Sequence, residues 1–140
     1  MKRYVLDTSV VIKWFSEYDE DDLDKALALR QGVFEGVYSV IVPDLMLYEL
    51  ANALKYNPRL NAHEAALAVQ SVLDMGFDVR MVEASVLERS IDIAFKFKVT
   101  VYDAYFLALA QMETGPLVTA DYKLADRVKG FKHIMKLSEF

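Results

Sequence analysis

Tyr4-Val5-Leu6-Asp7-Thr8-Ser9-Val10 passes in seven residues from an apolar run, through an acid, to two hydroxyl residues. Tyr4–Leu6 reads as a short buried strand. Asp7, Thr8 and Ser9 supply N-cap candidates for a helix over Val10–Phe15. The same alternation continues down the chain. A helix is expected over Asp22–Glu35, stopped by Gly36, then a β-branched strand over Val37–Val42. Pro43-Asp44 opens a helix to about Tyr56, and Asn57-Pro58 ends it because the residue before proline avoids the α region. Asn61, with Glu64 three residues on, resembles a capping box and starts a helix to about Met75. Asp78–Val82 reads as a third strand and Ala84–Lys96 as an amphipathic helix. Asp103–Met112 reads as a nearly all-apolar helix ended by Gly115, and Pro116–Thr119 as a fourth strand. A helix over Asp121–Val128 and a fifth strand over Ile134–Leu137 complete the series. Strands alternating with helices predict an α/β fold. It is a three-layer α/β/α arrangement with a mainly parallel sheet of four to five strands. Such sheets place their sites beyond the carboxyl ends of the strands. The 140 residues show no Gly/Ser/Pro-rich linker and no repeat, so one domain over 1–140 is expected.

Composition removes several classes of function. There is no cysteine, which excludes disulfides and cysteine-ligated zinc or iron–sulfur centres. His63 and His133 share no ligand motif, so a metal here would be held by oxygen. The N-terminus is too short in apolar run for a secretory signal. Stretches such as Ala104–Met112 fall short of the ~18 residues of a membrane span. No membrane partner and a cytoplasmic location are therefore expected. The net charge of −5 argues at first against a nucleic-acid partner. Six of the acids, however, fall within Glu17–Asp24; without them 15 acids face 16 bases. That patch reads as a solvated loop leading into a helix, where acids suit the positive end of the dipole. Lys123, Arg127, Lys129, Lys132 and Lys136 form either a basic track or an ordinary solvated surface.

Four other acids stand out by position. Asp7 ends the first strand and Asp121 follows the fourth. Asp103 opens the most apolar helix. Glu49 lies inside an apolar helix, with Asn52 three residues on and so on the same face. Taken singly, Asp7, Asp103 and Asp121 read as N-caps, and Glu49 as a partner of Lys13 or Lys55. Taken together they bring several carboxylates to one sheet edge. Buried, clustered carboxylates are costly and repel one another; a divalent cation relieves both costs. Hard oxygen ligands favour Mg²⁺ or Mn²⁺. One or two such ions would neutralise phosphate oxygens and activate water, the chemistry of phosphodiester hydrolysis.

These pieces resemble the PIN-domain nucleases, and among them the VapC-type toxins of prokaryotic toxin–antitoxin pairs. The matching segments are Val5-Leu-Asp7-Thr-Ser9-Val-Val-Ile-Lys13-Trp14, Pro43-Asp-Leu with Glu49-Leu-Ala-Asn52-Ala-Leu54, Tyr102-Asp103-Ala104, and Leu117-Val-Thr119-Ala-Asp121, in that order across essentially the whole chain. The resemblance implies metal ligation or catalysis by Asp7, Glu49, Asp103 and Asp121. It implies that Ser9, Asn52 and Thr119 orient those carboxylates. It also implies an RNA substrate, a homodimer and a cognate antitoxin lying in the active-site groove. Some relatives carry a further acid directly after the last motif. Here Tyr122 and Lys123 stand there, and Asp126 is expected to face elsewhere. Lys13 and Lys123 are candidates for contact with the carboxylates or a phosphate. Trp14 reads as core rather than as a base-stacking ring, and Tyr56 and Arg59 as groove or dimer surface.

Competing readings fare less well. A catalytically inactive PIN-like scaffold that binds RNA would want positive charge where four acids sit. A receiver-type signalling domain wants an acidic pair after strand one and an Asp after strand three; Val79-Arg-Met-Val82-Glu83 offers none. An aspartyl-phosphate phosphatase wants Asp-x-Asp where Asp7-Thr-Ser9 stands. No Gly-x-Gly-x-x-Gly follows strand one for a dinucleotide.

Overall fold

A computed structural model describes residues 1–16 and 21–140. Its elements follow in the order β1 (Lys2–Leu6), α1 (Thr8–Lys13), α2 (Leu23–Phe34), β2 (Tyr38–Pro43), α3 (Asp44–Lys55), α4 (Ala62–Leu73), β3 (Asp78–Arg80), α5 (Ala84–Phe97), α6 (Val101–Glu113), β4 (Leu117–Thr119), α7 (Tyr122–Arg127) and β5 (Ile134–Lys136), then a 3₁₀ turn at Leu137–Glu139. The strands form one five-stranded sheet in the order β3-β2-β1-β4-β5. Every pairing is parallel, with Tyr4 opposite Val40, Val5 opposite Leu117 and Val118 opposite Met135. This is the α/β architecture expected, at five strands.

Parallel strands covered on both faces need apolar residues in succession. Val5, Leu6, Val40, Ile41, Val42, Leu117 and Val118 are all buried. Helix α6 is buried without a break from Ala104 to Ala110, as its composition requires. Helix α1 packs against both α2 and α3, α4 packs against α3, and α5 packs along α6. Trp14 belongs to the core: its indole Nε1 donates to the Ala26 carbonyl at 2.8 Å.

The differences from the expected boundaries have local causes. β3 stops at Arg80 rather than Val82, because Arg80 already faces Pro43, the last residue of β2. α6 starts two residues before Asp103, because Thr100 caps it and accepts from the Asp103 amide. Gly115 is not the left-handed terminator of α6. Thr114 takes that conformation, with φ 54°. Gly115 is needed for close approach: a Cβ there would lie 2.8 Å from the Arg3 carbonyl oxygen. That contact lets the entry to β4 lie against β1. The capping box of Asn61 and Glu64 forms in full. Of the acidic patch, residues 17–20 lie outside the described residues; Asp22 precedes α2 and Asp24 sits exposed in its first turn.

Candidate active site

The chain leaves β1 toward β2 on one side, then returns to β4 and β5 on the other. The strand order therefore reverses between β1 and β4. In open parallel sheets the crevice at such a reversal, beyond the carboxyl ends of the strands, is where ligands bind. Asp7 leaves β1 there, and Thr119 and Asp121 leave β4. The Asp7 amide donates to the Val118 carbonyl at 3.0 Å and locks the two strand ends together.

Asp7 is 7% exposed and occupies the N-cap position of α1, yet its side chain makes no capping bond. Instead its Oδ2 accepts from the Ser9 hydroxyl at 2.6 Å and from the Thr119 hydroxyl at 2.8 Å. Each hydroxyl oxygen in turn accepts a backbone N–H: Ser9 Oγ from Ala120, and Thr119 Oγ1 from Asp121, both at 3.0 Å. With those lone pairs engaged, the hydroxyl protons are directed at the carboxylate. Burial still dominates. It raises the Asp7 pKa to about 6, against the hydroxyl bonds that lower it and with added repulsion from Asp103 and Glu49.

Glu49 projects from the middle of α3, half-buried. Its Oε1 accepts from the Thr8 hydroxyl at 2.6 Å. Lys55, one expected partner, lies 4.4 Å over the Tyr56 ring instead. Burial raises the Glu49 pKa, and the charge of Asp103 raises it further. Asp103, in the first turn of α6, is raised by burial and by Asp121; Thr100 and the charge of Arg127 oppose that shift. Asp103 thus feels Asp121 and is itself felt by Asp7 and Glu49, the hub of a set of four. Asp121 is exposed and does cap α7, its Oδ1 accepting from the Leu124 amide at 3.0 Å. The N-cap reading therefore holds for Asp121 and fails for Asp7 and Asp103.

The donor set is all carboxylate, the chemistry of a hard divalent cation. Burial raises three of its members and their mutual repulsion adds to it, both of which such a cation relieves. The oxygens are not converged, however. Among the described residues, no three His, Asp or Glu side chains stand as a preformed metal cage. Asp7 is turned to two hydroxyls, Glu49 to Thr8, and Asp121 to its own helix. The expected ligand set Asp7, Glu49, Asp103 and Asp121 is thus gathered electrostatically rather than as a finished coordination sphere.

Among the expected orienting residues, Ser9 and Thr119 contact Asp7 directly. Asn52 lies exposed on α3. Thr8 and Arg127 escaped the sequence reading. Thr8 was legible only as a cap, since its partner lies 41 residues away. Arg127 stood among the basic residues without a link to Asp103. Lys13 is buried and Lys123 exposed. Asp126 pairs with Lys136 at 3.3 Å.

Comparison with known proteins agrees with this fold. A family profile described as PIN domain matches residues 4–130. A curated relative, ribonuclease VapC3 of Pyrobaculum aerophilum, is 35% identical over 88 residues, which cover 60% of this chain and 67% of that one. A toxin–antitoxin complex from Klebsiella pneumoniae superimposes with a TM-score of 0.71 at 19% identity, over 98% of this chain and 99% of that one. Mycobacterium tuberculosis VapC20, a sarcin–ricin loop cleaving toxin, gives 0.65 at 17% identity over 93% and 97%. At those identities the two solved structures bear on the fold alone.

Proposed function

The chain belongs to the PIN domain family, and on that premise we propose that it is a divalent-cation-dependent endoribonuclease, the toxin of a toxin–antitoxin pair. The observation that supports this most is Asp7. A carboxyl buried at the sheet's reversal point, raised to about 6 and aimed by two hydroxyls, faces repulsion from Asp103 and Glu49. Such a cluster is a poor device for stability and a good one for ligating a cation. Asp7, Glu49, Asp103 and Asp121 would hold Mg²⁺ or Mn²⁺, as one or two ions. When bound, the cation supplies positive charge to phosphodiester oxygens and acidifies water.

The remaining roles fall to the chain's own side chains. Ser9 and Thr119 fix the Asp7 carboxylate, and Thr8 fixes Glu49, so neither samples other rotamers when substrate arrives. Arg127 places a cation beside Asp103 and would meet RNA phosphate at the rim. Asn52, exposed one turn beyond Glu49, is placed to hydrogen-bond substrate or a solvent molecule there.

The relatives' names support an antitoxin partner and an RNA substrate. A homodimer is supported by an unusual helix face. Leu87, Ile91 and Phe95 recur at four-residue spacing on α5, and all are exposed, Phe95 at 84%. An exposed apolar stripe of that kind marks an interface. Helix α4 contributes exposed Leu67 and Leu73 as further apolar surface.

The test is cleavage of a mixed cellular RNA pool by purified protein freed of any co-purifying partner, with Mg²⁺, with Mn²⁺ and with EDTA. Wild-type protein is expected to cut with one or both ions and not in EDTA. Folded protein that binds RNA but cuts under none of these conditions would replace this reading with that of a binding scaffold.

A further inference from the structure

A groove of about 760 Å³ runs along α5, closed on its far side by the segment between α7 and β5. Its walls combine flat rings with cations. Phe131 stands edge-on to Phe97, with ring centroids 6.3 Å apart, and to His133 at 6.0 Å. The Lys96 ammonium lies 5.2 Å from the Phe97 ring centre. Lys132 lines the groove beside these rings. The charge is not uniform. Glu88 and Asp92 also line the α5 wall, and Arg89 is engaged with Gln111 at 3.1 Å. Positive charge therefore concentrates at the end formed by Lys96, Phe97 and Lys132.

That end connects along the chain to the carboxylate site. Phe97 is the last residue of α5, and the turn after it leads through Thr100, the cap of α6, to Asp103. On the opposite wall the chain reaches Phe131 from Arg127, the residue whose charge acts on Asp103; the Phe131 amide closes that path by donating to the Val128 carbonyl at 2.9 Å.

We propose that this groove is an RNA-binding exosite: single-stranded RNA leaving the carboxylate site stacks its bases on Phe97, Phe131 and His133 and sets its phosphates on Lys96 and Lys132. Aromatic faces alternating with cations are how proteins hold single strands without reading their sequence. The proposal rests on the ribonuclease reading for its substrate, while its residues lie outside the four carboxylates.

The test uses full-length Asp103→Asn protein in EDTA and a fluorescent single-stranded oligouridylate, with affinity measured across a salt series. Lys96→Gln/Lys132→Gln is expected to weaken binding at low salt by at least roughly tenfold. It should also flatten the plot of log affinity against log salt by about 1.4, the counterion release of two phosphate contacts on a single strand. Phe131→Leu, which keeps apolar volume and removes the flat face, is expected to weaken binding roughly 5- to 100-fold with the slope unchanged. Lys2→Gln, at the exposed start of β1, is the control. Wild-type affinity and slope in the double variant, an equal loss in Lys2→Gln, or no RNA binding at all would each overturn the exosite. The two readings separate cleanly. RNA cut by wild type but bound equally by the groove variants removes the exosite and leaves the nuclease. RNA held through the groove yet never cut in Mg²⁺ or Mn²⁺ removes the nuclease and leaves the exosite.

Discussion

Helix α6 has an acid at each end, and the two are treated in opposite ways. At its C-terminal end Glu113, which the helix dipole disfavours, is answered by two guanidinium groups. Arg80 Nη1 lies 2.6 Å from Glu113 Oε1, and Arg3 Nη2 lies 3.4 Å from Oε2. Asp78 shares Arg80 at 2.9 Å, and its pKa falls below the usual carboxylate range. At the N-terminal end Asp103 meets Asp121, Asp7 and Glu49, with Arg127 as the opposing charge among its influences, and three of these acids are raised. One end satisfies its charges within the chain. The other keeps negative charge unsatisfied at the sheet's reversal point. Internal ion pairs serve the fold; the uncompensated charges are the ones the proposed cation would take up.

The sharpest way to break this contrast is to neutralise the two ends in turn. Asp103→Asn or Asp7→Asn is expected to cut RNA cleavage by at least roughly 10²-fold while the protein stays folded, because a ligand charge is lost without loss of shape. Near-wild-type activity in either purified variant would sink the site. The second effect is on stability, measured by denaturant titration of metal-free protein from pH 4 to pH 7. Asp7 titrates near 6 when folded and near 3.9 when unfolded. Between those values the folded state holds a proton that the unfolded state has released, so stability is greatest at the acid side and falls as pH rises through about 6. The loss from Asp7 is at most about 3 kcal/mol, and Asp7→Asn should weaken this dependence and raise neutral-pH stability. A flat profile in wild type would show that Asp7 is not held in this way. At the opposite end, Glu113→Ala should cost about 1 kcal/mol, since the pairs are partly solvated, with turnover unchanged. A drop in cleavage rate there would blur the division between the ends. The smallest effect is expected from Asp126→Ala, whose pair with Lys136 is exposed: stability within about 0.5 kcal/mol of wild type and no change in activity.

Much of this arrangement was legible beforehand because it is written in positions along strands and helices. An acid directly after an apolar run falls at a strand's carboxyl end, which placed Asp7 and Asp121. The all-apolar stretch around Ala104–Ala110 announced a buried helix, which placed Asp103 beside the sheet. The hydroxyl network needed three dimensions. Thr8 and Ser9 look alike as cap residues, yet one reaches Glu49 on α3 and the other reaches Asp7 and the amide of Ala120, just past β4. Cap or ligand could not be decided for Asp103 from sequence, because the true cap, Thr100, sits after a left-handed Lys98 that ends α5. The groove between α5 and the α7–β5 segment joins residues about 35 positions apart and leaves no local pattern.

The parallel pairing of β1 with β4 also sets when the site comes into being during synthesis. Asp7 is made before its hydroxyl donor Thr119 and the strand that holds it, which arrive more than a hundred residues later. Long-range parallel pairing forms only after the intervening chain exists. An interrupted polypeptide lacking β4 therefore has no completed site, whatever else of it has folded. The order of translation itself keeps unfinished copies inert.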